Sequence, residues 1–183
     1  MKVERIMHKS IIIPLAFMLT LVLASCEINS SDNGDLDNWW WLRQVENIET
    51  DDKEDYVEKK VFWSYIGHLM QTDGGGSYTY QDEDGKTKKA TCAKLLFRFE
   101  HKGNTLRVYE PHYHNKSKGD PLLDPSIEAD SRVIEKSLPI QGINLKQADD
   151  GTLEETFTVE HLDGDRMTLV NQDNTLRLYF IAY

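Results

Sequence analysis

Leu95-Leu96-Phe97-Arg98-Phe99-Glu100-His101-Lys102-Gly103-Asn104-Thr105-Leu106-Arg107-Val108-Tyr109-Glu110 is the stretch that decides the fold. Leu95, Phe97 and Phe99 alternate with Leu96, Arg98 and Glu100, the period of two that marks a strand. Gly103-Asn104 supplies a two-residue turn. That loop length sets the register: Phe99 opposite Val108, His101 opposite Leu106 and Glu100 opposite Arg107. The apolar pairs then share one face and an opposite-charge pair falls on the other. Turn chemistry and hydrophobic pattern specify the same hairpin.

The same reading extends outward. Residues 156–162 and 167–170 flank Asp163-Gly164-Asp165, a three-residue turn that sets Val159 opposite Leu169 and His161 opposite Met167. Leu176, Leu178 and Phe180 alternate through a last strand ending at Tyr183. Upstream, Trp39 to Val45 is rich in strand formers. Val57 to Met70 reads as one extended run, with Val61, Trp63, Tyr65 and Leu69 on one face and Phe62, Ile66 and Met70 on the other. It is covered on both sides or carries a bulge near Gly67. Gly74-Gly75-Gly76 breaks the pattern, and the polar residues 76–89 form an exposed hairpin around Asp84-Gly85. Residues 111–152 differ: Pro111, Pro121, Pro125 and Pro139 punctuate a long connection. A short helix is expected within it, around Ser126 to Glu135, capped by Asp124 or Ser126. Connections of this length usually serve as lids or binding loops, or else move. Short strands separated by turns predict an all-β antiparallel sandwich or barrel.

Composition bounds the function. A chain of 183 residues is one domain by default, and its net charge of −10 argues against a binder of nucleic-acid phosphates. With 4 Trp, 8 Tyr, 6 Phe and 39% hydrophobic residues it is not a disordered chain, and its 2 cysteines cannot make a disulfide scaffold.

The N-terminus reads as an address. Lys2, Arg5 and Lys9 precede the apolar run Ile11 to Ala24, too short to span a bilayer comfortably but right for a secretory signal. Leu23-Ala24-Ser25-Cys26 closes the run and resembles the lipobox of bacterial lipoproteins. The resemblance implies cleavage before Cys26 and acylation of its thiol, hence attachment to the cell envelope, expected at a Gram-negative outer membrane. Several acyl chains on one residue anchor stably where one does not. Residues 27–38 are polar and aperiodic, a flexible tether. The expected organisation is a signal at 1–25, a lipidated tether at 26–38 and a barrel at 39–183.

Candidate chemistry is sparse. Cys92 opens a strand-like run and reads as a structural thiol. His112-Tyr113-His114 would set two imidazoles on one strand face, with Asp120 and His101 as conceivable third ligands; a solvated strand end is the better reading. The acidic run Glu49 to Asp55 lacks the spaced ligands of a calcium loop, and Glu154-Glu155 makes no orientable catalytic pair. Nucleotide-binding and hydrolase motifs are missing, so no enzyme, cofactor or metal is expected. Trp63, Tyr65, Phe97, Phe99, Phe157 and Tyr179 are the aromatics expected to face the inside of a barrel, where they fill it or line a cavity for a small apolar ligand.

Trp40-x-Leu42 after Gly34-Asp35-Leu36, the last strand Thr175-Leu176-Arg177-Leu178-Tyr179-Phe180, the phrase Phe97 to Leu106 and the lipobox together resemble the small lipocalin-like lipoproteins of Gram-negative envelopes. The resemblance implies an up-and-down, calycin-like β-barrel. It also implies that Arg177 covers Trp40, with Trp39 and Trp41 as register alternatives, and closes one end, a cation–π stack of about 0.5–2 kcal/mol. The function implied is binding of a small apolar ligand; the alternative is contact with an envelope protein through the 111–152 connection or the acidic face.

Overall fold

The computed structural model describes residues 33–81, 84–113 and 131–183. Its strands are β1 (Trp39–Asn47), β2 (Lys53–Asp55), β3 (Phe62–Ile66), β4 (Leu69–Asp73), β5 (Ser77–Gln81) and β6 (Thr87–Thr91). Then follow β7 (Leu95–Lys102), β8 (Thr105–Tyr113), the helix α1 (Ser131–Ile140), β9 (Lys146–Gln147), β10 (Leu153–Leu162), β11 (Arg166–Asn171) and β12 (Leu176–Ala182). Strands β1, β3, β4, β7, β8, β10, β11 and β12 pair antiparallel in that order, and β12 returns to β1. The sheet closes on itself as an all-β, antiparallel barrel, and closure removes the sheet edges that invite aggregation. β2 and β9 are short additions to β1 and β10, and β5–β6 is a separate ribbon.

The β7–β8 hairpin has the register its sequence specifies, with Phe99 opposite Val108, Glu100 opposite Arg107 and His101 opposite Leu106. Two other expectations need correction. Val57 to Met70 is not one strand: a 3-10 turn at Val57–Lys59 precedes β3, and Gly67-His68 turns the chain back into β4. Gly67 has φ +57, so it makes a tight turn and not a bulge. In β10–β11, Val159 does face Leu169, but a bulge after it sets His161 opposite Thr168 and Leu162 opposite Met167. The extra residue lets polar His161 stay outside while Met167 is fully buried.

The barrel also begins earlier than Trp39. A 3-10 turn at Gly34–Leu36 drives Leu36 to complete burial, and the Leu36 carbonyl accepts the Trp40 indole N–H at 3.1 Å. Asn33 Nδ2 reaches the Gly67 carbonyl and Asn38 Nδ2 the Gly164 carbonyl, so residues 33–38 belong to the fold, not to the tether. These contacts gather at the end of the barrel that carries the hairpin turns at 67–68, 103–104 and 163–165. That end is closed.

The expected Trp40–Arg177 closure does not form. Trp40 lies opposite Ala182 and points inward, whereas Arg177 lies opposite Glu46 and points outward. Six residues of strand, about 20 Å, separate the two positions. Arg177 holds Glu160 and Glu46 instead. The lid over the closed end is Leu36, with no arginine involved.

The candidate site in the barrel mouth

Five of the six aromatic rings expected inside the barrel are there; Tyr179 is not, because it alternates with inward-facing Leu178 and Phe180 on β12 and turns outward, its hydroxyl donating to Glu46. Trp63, Phe97 and Phe157 are fully buried, and Tyr65 and Phe99 nearly so. Trp63 packs edge-on to Phe157 (5.6 Å between centroids) and tilted against Phe180 (4.8 Å). Tyr65 and Phe99 meet edge to face at 4.9 Å, deeper toward the closed end. Such ring pairs contribute about 0.5–1.5 kcal/mol beyond their burial. In this structure the rings fill the barrel against one another, as eight strands leave an interior just wide enough for side chains.

What they lack from the strands is a cover at the open end, and α1 supplies it. Among the described residues the helix of the long connection runs Ser131–Ile140, later than the expected Ser126 to Glu135; residues 114–130 lie outside the described residues. Pro139 sits one residue from its end. The Gly142 N–H then bonds the Pro139 carbonyl and the Ile143 N–H the Leu138 carbonyl, the paired bonds of a glycine-terminated helix. Gly142 takes φ +83 to make that turn. The tight reversal buries Leu138 and Ile143 in the barrel core.

Gln141, fully buried, fastens this plug. Its carbonyl accepts the Trp63 indole N–H (3.0 Å) and its Oε1 accepts the Thr72 hydroxyl (2.7 Å). Its Nε2 donates to the carbonyls of Ala93 (2.8 Å) and Gly74 (3.2 Å). Ser137 Oγ accepts the Ala93 N–H at 2.9 Å. Gly74 can approach only because it has no side chain: a Cβ there would stand 1.7 Å from the Lys60 carbonyl oxygen. Each polar atom of the buried amide is used, so burial costs Gln141 little. One carboxylate joins the plug. Glu155 points inward from β10 and accepts the Asn144 N–H at 2.5 Å, and burial pushes its carboxyl up to about 8.

The sequence gives little sign of Gln141, Leu138 and Ile143 as mouth residues. The available signal was Gln141-Gly142 directly after a helix, the place for a left-handed cap. The buried polar side-chain atoms without a partner among the described residues include the Tyr65 hydroxyl near the closed end and the Ser64 hydroxyl. Cys92 is buried with its thiol pushed up chiefly by that burial, the opposite of an activated nucleophile. Of the His112/His114 pair, only the backbone of His112 is described, opposite Leu96; its side chain and all of His114 lie outside the described residues. Glu154 is held by Arg107 and so stands apart from Glu155 in role.

A family model described as a lipocalin-like domain matches residues 20–183. Similar solved structures include a lipocalin-like protein from Bacteroides uniformis ATCC 8492, 17% identical with a TM-score of 0.45, covering 82% of this chain and 100% of its own. Another is an uncharacterized protein from Bacteroides eggerthii DSM 20697, 15% identical with a TM-score of 0.45, covering 81% of this chain and 99% of its own. No curated protein matches the chain. With a closed eight-stranded barrel and a family match across most of its length, this chain belongs to the lipocalin-like domain family.

Proposed function

We propose that this protein is a lipid-anchored binding protein of the cell envelope, without catalytic activity, whose barrel takes up a small apolar molecule. The observation that carries the reading is the plug. The barrel mouth is closed by a segment of the long connection, held there by the Gln141 hydrogen bonds and by the packing of Leu138 and Ile143. A ligand entering between Trp63 and Phe157 would take over the apolar contacts that Leu138 and Ile143 now make. An acyl group on Cys26, seven residues before Asn33, would tether the closed end of the barrel. The net charge of −10 keeps the body off anionic headgroups.

The test uses N-phenyl-1-naphthylamine, a neutral apolar dye, with the full chain and its Gln141→Leu variant. Loosening the plug is expected to tighten dye binding several-fold, with quenching of the buried tryptophans. Absence of saturable binding to either protein, with both folded by circular dichroism, would remove the interior site. A second reading, contact with an envelope protein, is favoured by exposed apolar groups on the outer wall near the closed end: Trp39, Ile66 and Tyr183.

A further inference from the structure

Arginines in an acidic chain usually find carboxylates, and several on this barrel do. Arg98 holds Glu110 at 2.8 Å, Arg107 holds Glu154, and Arg177 spans Glu160 (2.8 Å) and Glu46 (3.2 Å). Arg43 and Arg166 hold none among the described residues, and both line one cavity of about 370 Å³ on the outer wall. Its floor and sides include Tyr179, Ile181, Thr168 and His161.

Strand geometry explains why these residues meet. β1 bulges between Leu42, opposite Phe180, and Gln44, opposite Tyr179, so Arg43 is the extra residue and leaves the wall half-buried. Across β12 and β11, Tyr179 faces Thr168 and Ile181 faces Arg166; Thr168 faces His161 on β10. The two arginines stand two strand spacings apart, roughly 10 Å, a gap that two arginine side chains bridge onto one group.

Donors are in excess here. Arg43 Cζ lies 4.2 Å from the Trp41 ring centroid, and both the Arg43 Nε–H and the Trp41 Nε1–H are buried without an acceptor. Three nearby acids are already committed. Glu46 accepts the Tyr179 hydroxyl and Arg177, Glu160 is held by Arg177, and Asp163 takes His161 at 2.7 Å and the Asp165 and Arg166 amides. Buried donors without acceptors are costly and uncommon in folded proteins, so the Arg43 Nε–H, in one cavity with Arg166 and with Trp41 stacked under its guanidinium, calls for an acceptor from outside.

We propose that this outer-wall cavity binds a small organic oxyanion, a carboxylate or phosphate on an apolar body. Arg43 and Arg166 take the charge in charge-assisted hydrogen bonds, and Tyr179 and Ile181 lie under the body. The site is independent of the barrel interior and of the reading given for it. A soluble ligand fits better than a membrane headgroup, because a chain of net charge −10 is repelled by an anionic bilayer.

The test follows the Trp41 indole and Arg43 Nε–H resonances of the full ¹⁵N-labelled chain during titration with hexyl phosphate, hexanoate and, as a neutral control, hexanol. Saturable shifts are expected with both anions and none with hexanol. The Arg43→Gln/Arg166→Gln double variant should bind at least about tenfold more weakly, with the Trp40 and Trp63 indole resonances unmoved as proof of fold. Equal response to hexanol, unchanged affinity in the double variant, or shifts confined to Trp63 would each overturn the site. So would binding to phosphatidylglycerol vesicles by a chain whose Trp41 and Arg43 signals ignore both soluble anions.

Discussion

Glu155 occupies an inward-facing position of β10, between Glu154 and Thr156 on the outer side, where the strand's alternation calls for an apolar residue. Desolvation is the first cause of its raised pKa, and the single N–H from Asn144 offsets only part of it. Because the folded value of about 8 exceeds the value of about 4.5 in an unfolded chain, the folded state holds the proton more tightly. Its contribution is therefore fully present below about pH 4.5 and is lost as pH rises toward 8, at up to about 1.4 kcal/mol per pH unit. Urea denaturation of the Glu155→Gln variant should be flatter than wild type between pH 5 and pH 8, with the variant the more stable at pH 8. Parallel profiles would mean that Glu155 is solvated and the plug open. The residue's burial was hidden in the sequence, where two adjacent glutamates read alike. Only the pleat direction and the seat of Asn144 separate them.

At the scale of the element, α1 and its turn show how a loop becomes part of a core. Gly142 needs φ +83, and a Cβ there would come within 3.3 Å of Leu178 Cδ1. Gly142→Ala should therefore cost about 1–3 kcal/mol through backbone strain and crowding, read as a lower urea midpoint with an unchanged slope. An unchanged midpoint would mean that the plug does not reach Leu178 in solution. The β7–β8 hairpin was legible because everything that fixes it lies within sixteen consecutive residues. The mouth was not: Gln141 meets Thr72 across 69 residues and Trp63 across 78. A single sequence carries no mark of such partners: the length of the 111–152 connection pointed to a lid, a binding loop or a mobile segment, without saying which of its residues would enter the barrel.

At the scale of the whole molecule, the barrel and its anchor are separate questions. The Cys26→Ser variant should stay in the aqueous phase of Triton X-114, whereas the wild type partitions into detergent; aqueous wild type would overturn lipidation. That variant leaves the barrel untouched, since residues 33–183 carry the fold and its closing contacts.

The sequence by itself determined the β7–β8 hairpin, the alternation of the last strand and most of the turns, because alternation and turn chemistry act between neighbours along the chain. The pattern left sandwich and barrel open and the resemblance implied the barrel; of the rings expected inside, Trp63, Tyr65, Phe97, Phe99 and Phe157 are buried and Tyr179 turns outward. Tertiary structure decided what closes each end and what gathers outside. Leu36, not Arg177, caps the floor, because the β1–β12 register carries Trp40 to Ala182. Gln141 latches the mouth, and Arg43 meets the cavity of Arg166 only because a one-residue bulge turns it out across β12. The β1–β12 register and the closure of the ring join segments far apart in the chain, so no local pattern could have announced them.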